Sequence, residues 1–299
     1  MNTPNAPIRA LVFAYHNVGV GCIKALLEAG IQIELVVTHA DDPRETIWFG
    51  SVAALCQERG IPCIQPGASE LLDLLPQFKK IAPDYIFSFY YRHLIASEIL
   101  AVARIAALNM HGSLLPKYRG RAPVNWAILH GETETGASLH IMEAKPDAGD
   151  IVRQVAVPID PDEDATAVFA KVSNAAVQVM QAALPALLEG HVPRTPNELA
   201  KGGYFGGRKP EDGHIQWSQD ALQVHNLIRA VAPPYPGAFT DWQGTRMVIA
   251  KSKLNPALPS SLDLGQPGIQ VVDNRVFGIC GNRQAIEIMA WQPASSNAH

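Results

Sequence analysis

The N-terminal half of the chain alternates short apolar runs with stretches in which apolar residues recur at helical spacing. The apolar runs, typical of buried β-strands, cover residues 10–14, 33–37, 62–64, 85–88 and 106–109. One helical pattern follows a glycine turn, continues over 22–29 and stops at Gly30, and another covers 52–59 and is closed by Gly60. This alternation predicts right-handed crossovers and a mainly parallel sheet, the Rossmann-like α/β class.

After residue 135 the pattern changes to longer strands and one long helix. Residues 136–142 and 151–157 read as two strands on either side of a turn at 146–149. A long amphipathic helix is predicted over 164–188, ending at Gly190. These elements complete the first predicted domain.

The last third of the chain has a different character. Residues 193–203 are polar and contain two prolines and two glycines, so we expect a linker there, between a catalytic Rossmann-like domain at 1–192 and a second domain at 204–299. The short β-rich runs of this second domain include residues 246–250 and 268–272. Broken by Pro and Gly, and with one helix near 223–231, they predict a small OB-like β-barrel.

Composition narrows the class of protein. The 299 residues are 47% hydrophobic and 17% charged, as in an ordinary globular protein, and the net charge of −4 argues against nucleic-acid binding. No apolar stretch is long enough for membrane insertion, and the polar N-terminus lacks a signal-peptide core. The four cysteines have neither Cys-x-x-Cys nor zinc-ligand spacing, so we expect reduced thiols and a cytoplasmic protein.

Nucleotide-binding motifs are weak. Gly19 and Gly21 match two positions of the dinucleotide fingerprint, but Lys24 occupies the third, so a dinucleotide site is not expected.

The segment NMHGSLLPKYRG, residues 109–120, is the most informative for chemistry. Asn109 falls at the carboxyl end of a predicted strand and His111 just beyond it, at the sheet edge where ligands of open α/β proteins bind. Two residues apart on an extended chain, their side chains point the same way. Leu115-Pro116 forces an extended turn, at which a cis peptide bond would lock the loop.

These residue types suit acyl transfer to an amine, which needs an oxyanion donor, a base and an acid. Asn109 can donate from its amide, and His111 can move protons near neutral pH. A neighbouring carboxylate would orient the imidazole and favour its imidazolium form; Asp147, in a tight turn, is the candidate, and Asp150 competes with it. Spacing alone leaves open that these are ordinary turn and loop residues.

A family resemblance adds to this interpretation. HGSLLPKYRG at 111–120 resembles the signature loop of the 10-formyltetrahydrofolate-dependent formyltransferases, and the resemblance extends from the first strand to about residue 240. Further segments in the order and spacing of that family are APVNWA at 122–127, GETETG at 131–136 and DAG at 147–149. The resemblance implies Asn109, His111 and Asp147 as catalytic residues, 10-formyltetrahydrofolate as co-substrate, and no metal.

Within this family, several stretches are similar to the formyltransferase portion of bifunctional polymyxin-resistance enzymes. They are VFAYH at 12–16, FSFYYRHLI at 87–95, KYRGRAP at 117–123, FGGRKP at 205–210 and NLIRAV at 226–231. This resemblance implies formylation of the 4-amino group of UDP-4-amino-4-deoxy-L-arabinose in lipid A modification. Those enzymes also carry a dehydrogenase-decarboxylase half, and we expect that oxidative step on another chain.

The same resemblance implies a set of folate contacts: His93, Leu94, Ile95, Arg121, Glu143, Ala144, Lys145, Pro146 and Asp147. The side chains at 143–146 depart from the relatives, which matters little if those contacts are made by the main chain. For the UDP-amino-sugar substrate, Arg119 and Arg208 are the expected contacts, because arginine forms forked bonds with phosphate.

The remaining histidines show no metal-ligand spacing, and we expect them in structural or surface positions. They include His16, His39, His93, His130, His140, His214 and His225, of which only His93 falls in a predicted binding segment.

Two alternatives remain. A methionyl-tRNA formyltransferase would share the motif, but that family carries a basic insertion after the second strand, whereas residues 38–47 here hold three acidic residues and one arginine. A binding module without catalysis would not need all three of Asn109, His111 and Asp147. The sequence leaves a homo-oligomer open.

Overall fold

The computed structural model describes residues 7–43 and 45–293. The expectation about the N-terminal segment therefore falls mostly on residues 1–6, which lie outside the described residues. The strands are β1 Arg9–Ala14, β2 Gln32–Val37, β3 Cys63–Ile64, β4 Tyr85–Phe89, β5 Ala106–His111, β6 Arg119–Gly120, β7 Glu134–Ile141, β8 Ile151–Pro158, β9 Tyr204–Phe205, β10 Ala238–Trp242, β11 Thr245–Lys253, β12 Gly268–Val272, β13 Arg275–Ile279 and β14 Ala285–Pro293. The α-helices are α1 His16–Glu28, α2 Val52–Arg59, α3 Leu75–Ile81, α4 Ser97–Leu100, α5 Pro123–Leu129, α6 Ala165–Leu188 and α7 Ala221–Ala230.

A seven-stranded sheet organises the N-terminal part of the chain, in the order β3-β2-β1-β4-β5-β7-β8. The first five of these strands are parallel to their neighbours, and β7 is antiparallel to β5. The central strands β1 and β4 are almost wholly buried, as expected for parallel strands covered on both faces. The predicted mainly parallel α/β fold is confirmed.

Side chains of β4 alternate between the two faces of this sheet. Tyr85, Phe87 and Phe89 stack on one face with ring centroids 5.6 Å apart, and the Tyr85 hydroxyl donates to the carbonyl of Leu187 on α6. The other face carries a buried cluster of Leu11, Phe13, Leu35, Val37, Leu71, Phe78, Ile86, Ile99 and Ala107. Apolar burial on both faces fixes the register of the strands that carry the site.

Helix α1 corrects one sequence expectation. It begins at His16, so Gly19 and Gly21 lie inside the helix and not in a turn before it. A Cβ atom on Gly19 would lie 3.0 Å from the Val52 side chain, and one on Gly21 would lie 2.6 Å from the Val177 side chain. These glycines therefore permit close packing of α1.

The described chain forms two compact units that interleave along the sequence. One comprises residues up to 120, 136–157 and 171–204, and the other comprises 121–135, 158–170 and residues from 205 onward. The boundaries expected from the sequence, three consecutive segments at 1–192, 193–203 and 204–299, stay a prediction.

The second unit contains a five-stranded antiparallel sheet in the order β10-β11-β14-β13-β12. The pairing of β11 with β14 is interrupted by register shifts, which curl a sheet. Helix α7, whose bounds are close to the predicted 223–231, packs on β11. Phe277, Ile279 and Ala285 form a small core in this unit. The predicted β-rich second domain is confirmed. In the part of the chain that the structure describes, no helix combines the length and hydrophobicity that crossing a bilayer requires.

Candidate active site

Strand β5 brings two of the predicted catalytic side chains to the carboxyl edge of the sheet. In the parallel pairing with β4, Asn109 lies opposite Ser88. In the antiparallel pairing with β7, Asn109 lies opposite His140 and His111 lies opposite Ser138. The site is therefore built where a parallel ladder meets an antiparallel one.

Asp147 lies in the turn that connects β7 with β8 and has a left-handed backbone conformation, φ 53°. Its Oδ2 accepts the main-chain N–H of Gly120 at 2.8 Å. The Asn197 side-chain amide donates to the carbonyls of Asp147 and Gly149, at 3.1 and 3.2 Å. These contacts hold the carboxylate in one place.

The three predicted catalytic residues converge through a fourth. Asp147 Oδ1 lies 3.7 Å from His111 Nδ1 and 3.4 Å from His140 Nε2. The Asn109 amide nitrogen lies 3.1 Å from the same His140 Nε2. Asp147, and not its competitor Asp150, is thus the carboxylate beside His111.

His140 was expected in a structural or surface position and not in the site. Its neighbours along the chain are apolar, and only the pairing of β7 with β5 places it opposite Asn109. The imidazole is 1% exposed, and its Nδ1 lies 2.9 Å from the Ile141 carbonyl. The only local signal is a histidine in the strand that precedes the Asp147 turn, seven residues before Asp147.

His111 is 6% exposed, and burial lowers its pKa. The Asp147 charge and the hydrogen bond to the Tyr118 carbonyl raise the pKa without restoring it, and His140 lowers it further. Asp147 therefore favours the imidazolium form, as expected, but desolvation outweighs its charge, so the pKa of His111 lies below its ordinary value. His111 Nε2 lies 2.8 Å from the Tyr118 carbonyl, so the neutral ring carries its proton there and leaves Nδ1 basic.

For Asp147, the neighbouring groups outweigh burial and favour the charged form of the carboxyl. Burial raises the pKa of its carboxyl, but the nearby His111 and His140 and the Gly120 N–H outweigh burial and hold the pKa well below its usual range. The site therefore contains a charged carboxylate beside a neutral imidazole at neutral pH.

The loop after β5 is held by a small polar network. Leu115-Pro116 is cis, as the sequence suggests. The Ser138 hydroxyl accepts from the Leu115 N–H at 3.1 Å and from the Gln154 side-chain amide at 2.7 Å. Gln154 also donates to the Leu115 carbonyl at 2.9 Å, so β7 and β8 both fix this loop.

The predicted folate segment 93–95 follows β4, the strand next to β5. Leu94 is 81% exposed, while Ile95 packs against the core cluster. His93 lies edge-on to His39, ring centroids 4.6 Å apart. The Arg92 N–H donates to His39 Nε2 at 2.9 Å, which ties this segment to the loop after β2.

The other predicted folate contacts lie in two places. Glu143, Ala144 and Lys145 are exposed and, with Pro146, lead into the Asp147 turn. Arg121 belongs to the second unit, where its N–H donates to the Phe205 carbonyl at 3.0 Å. Their folate contacts stay predictions.

The two predicted substrate arginines differ in environment. Arg119 is 7% exposed, and its guanidinium faces the carbonyls of Leu199 and Gly202 at 3.4 Å. Arg208, half-buried in the second unit, lies over the Trp126 ring at 4.9 Å and donates to the Asp212 carbonyl. Their roles as substrate contacts stay predictions. Among the residues that the structure describes, no cluster of three or more His, Cys, Asp or Glu side chains could hold a metal ion.

Comparison with known families decides the class of this protein. Residues 10–184 match the formyl transferase family, and residues 208–299 match the formyl transferase C-terminal domain. The chain belongs to the formyl transferase family. The resemblance drawn from the signature loop is confirmed, and the matched ranges include Asn109, His111 and Asp147 of this formyl transferase.

Solved structures share the fold of this formyl transferase. An N-formyltransferase from Helicobacter canadensis, in complex with folinic acid and dTDP-3-aminofucose, is 19% identical with a TM-score of 0.72, over 96% of this chain and 99% of that one. A 4-N formyltransferase from Francisella tularensis is 20% identical with a TM-score of 0.65, over 81% of this chain and 96% of that one. Methionyl-tRNA formyltransferase from Clostridium thermocellum is 16% identical with a TM-score of 0.59, over 97% of this chain and 100% of that one.

Proposed function

We propose that this formyl transferase moves the formyl group of 10-formyltetrahydrofolate onto the 4-amino group of UDP-4-amino-4-deoxy-L-arabinose. The observation that carries the proposal is the convergence of Asn109, His111 and Asp147 at the carboxyl end of β5. The family supplies the reaction class, and the resemblance of the loop at 111–120 to folate-dependent members supplies the co-substrate.

In this mechanism Asn109 stabilises the developing oxyanion. Its amide has two N–H groups, of which one faces His140 Nε2 and the other is available to the formyl oxygen. Asn109 is only partly buried, so a bound carbonyl can reach it. A preorganised donor of this kind acts in the transition state, where the charge appears.

His111 moves the proton. The sugar amine attacks the formyl carbon, the new N–C bond forms, and the amine proton passes to the basic Nδ1 of His111. The imidazolium is then stabilised by Asp147, whose Oδ1 is 3.7 Å away. The same proton passes to N10 of the folate as the bond between N10 and the formyl carbon breaks, which returns His111 to its neutral form.

We assign folate binding to the segment around Leu94 and to the turn that carries Asp147. An exposed leucine beside two imidazoles, those of His39 and His93, offers an apolar edge for a flat ring system. Residues 143–145 are exposed, and main-chain hydrogen bonds from this segment would not depend on side-chain identity. Arg121 is assigned to the acidic part of the co-substrate, which suits a guanidinium.

The nucleotide part of the substrate is assigned to Arg208, with Arg119 as the second candidate. Among the described residues, the Nε atoms of both arginines are buried and without a hydrogen-bond partner. Arg208 is the less buried of the two, so it requires less rearrangement to meet a diphosphate. We place the reaction in the cytoplasm, where the four free thiols would stay reduced.

A sugar acceptor is preferred over tRNA on charge. The loop after β2 carries Asp41, Asp42 and Glu45, which oppose a polyanion. Of the similar structures, the Helicobacter canadensis N-formyltransferase is bound to dTDP-3-aminofucose, and the Francisella tularensis protein is a 4-N formyltransferase, which supports an amino-sugar acceptor.

One assay tests the proposal. Purified protein is incubated with 10-formyltetrahydrofolate and either UDP-4-amino-4-deoxy-L-arabinose, a dTDP-4-amino sugar or charged initiator tRNA, and release of tetrahydrofolate is followed. We expect turnover with the UDP-sugar at kcat/KM at least about tenfold above the others, since each 1.4 kcal/mol of differential binding gives tenfold. Preferred turnover of the dTDP-sugar would correct the nucleotide, and preferred turnover of tRNA would reject the acceptor class.

A further inference from the structure

His140 occupies a position behind Asn109 that nothing in the proposed mechanism uses. It is 1% exposed, lies directly opposite Asn109 in the β5–β7 pairing, and faces its amide nitrogen at 3.1 Å. Asn109, by contrast, is partly exposed. A buried group that contacts a functional group nearer the surface is placed to orient it.

The hydrogen bonds of His140 determine which ring nitrogen faces Asn109 as an acceptor. Nδ1 lies 2.9 Å from the Ile141 carbonyl, which can only accept, so the ring proton resides on Nδ1. The tautomer that satisfies this contact leaves Nε2 as the acceptor, and the donor that faces it at 3.1 Å is the Asn109 amide. Because a carboxamide can otherwise turn over, this bond selects the orientation in which the nitrogen faces β7.

We propose that His140 is a positioning residue that fixes the Asn109 carboxamide for catalysis. It acts through Asn109 and does not touch the substrate. The inference rests on the proposed function, because it takes Asn109 to be the oxyanion donor. Its structural part, the hydrogen bond between the two side chains, does not depend on the identity of the acceptor.

Asp147 is the competing partner of His140. Its Oδ1 only accepts and lies 3.4 Å from the same Nε2, so this contact would need the proton on Nε2. The two shorter contacts of His140, 2.9 Å to the Ile141 carbonyl and 3.1 Å to the Asn109 amide, are both satisfied with the proton on Nδ1. Asp147 already accepts the Gly120 N–H at 2.8 Å and is held through its carbonyl by Asn197, so it does not require His140 for its orientation. Asn109 has no other side-chain partner among the hydrogen bonds of the described residues.

The test is a double-mutant cycle measured as kcat in the formyl-transfer assay. His140→Leu removes the acceptor and fills its buried position with an apolar side chain. We expect kcat to fall about tenfold or more, with little change in the KM of the folate or of the amino sugar. The kcat of the double variant, His140→Leu with Asn109→Ala, should equal the kcat of Asn109→Ala alone within about twofold. His140→Gln, which restores an acceptor, should recover most of the loss.

If the double variant loses kcat by the product of the two single losses, His140 does not act through Asn109 and the inference is overturned. A second cycle pairs His140→Leu with Asp147→Asn. If the losses of kcat in that cycle do not multiply, His140 acts through Asp147, which also overturns the inference. The matched control is His191→Leu, an exposed histidine outside the site, which should keep wild-type kcat.

A readout without activity separates this inference from the proposed function. The side-chain amide resonances of Asn109, followed by NMR with labelled asparagine, should show a hydrogen-bonded proton that is lost in His140→Leu and kept in His140→Gln. If the wild-type protein transfers no formyl group, the proposed function fails, and these resonances still decide whether His140 holds Asn109. Unchanged Asn109 resonances in His140→Leu would refute the contact.

Discussion

At the residue scale, burial decides the protonation of the site. His111 loses more from desolvation than Asp147 returns, so its pKa is lowered and the ring is neutral at neutral pH. The Tyr118 carbonyl then selects the tautomer with a basic Nδ1. A neutral imidazole beside a charged carboxylate is ready to accept a proton, which a standing imidazolium is not.

His111→Ala should lower kcat by about two orders of magnitude or more, the usual scale for loss of a general acid–base group. The measurement is single-turnover formyl transfer, with folding checked by circular dichroism. His191→Ala, at an exposed position, is the matched control. Near-full activity of a folded His111→Ala would remove His111 from the mechanism.

The pH profile of kcat/KM should show an acid limb with a midpoint below the usual histidine value of about 6.5. Above that midpoint His111 is neutral and active as a base, and below it the ring is protonated. Because Asp147 raises the pKa of His111, Asp147→Asn should move the limb to still lower pH and reduce the plateau. A limb that moves to higher pH would contradict this assignment.

At the scale of elements, the turn between β7 and β8 fixes the carboxylate. A Cβ atom on Gly149 would lie 2.1 Å from the Ile141 carbonyl oxygen, a main-chain atom that cannot move aside without breaking the end of β7. Glycine at this position therefore lets the two strands approach where Asp147 leaves the turn.

Gly149→Ala should lower the thermal midpoint and reduce kcat together, because relief of the contact displaces the Asp147 turn. Overpacking of this kind costs about 1–3 kcal/mol. Gly206→Ala is the control, since a Cβ atom there meets nothing within 4 Å. Equal stability and activity of the two alanine variants would show that the turn tolerates the added carbon.

At the scale of the whole molecule, buried or half-buried histidines with a lowered pKa occur in both compact units. Burial, then neighbouring positive charge, lowers the pKa of His16 to about 3 and of His39 to about 4 in the first unit. Burial likewise lowers the pKa of His225 in the second unit. Between these values and about 6.5 the unfolded chain binds more protons than the folded one, so the free energy of unfolding falls as pH falls.

The thermal midpoint should therefore decrease steadily from pH 7 to pH 5, by about 5 °C or more. It should fall further below pH 4, where the depressed pKa of Asp147 adds a loss of the same sign. His225→Gln should flatten part of the first decline, measured by scanning calorimetry, and the exposed His191→Gln should not. A midpoint that is constant between pH 7 and pH 5 would refute this linkage.

The sequence by itself determined the features that depend on local pattern. The alternation of apolar runs and helical stretches predicted the parallel sheet, and Gly60 ends α2 where expected, with φ 65°. Asn109 and His111 were found because they lie in one strand, where a spacing of two fixes a common face. Asp147 was found because a family motif marks its turn.

Only the tertiary structure decided what depends on distant segments meeting. His140 joined the site through the pairing of β7 with β5, which no local pattern encodes. Gly19 and Gly21 were predicted to form a turn, since glycine is common in turns. Their role in helix packing depends on Val52 and Val177, which are remote in sequence and come close only in the fold. The direction of the His111 pKa depended on how completely the fold buries the ring, since desolvation is a property of the whole surrounding structure and not of neighbouring residues in the chain.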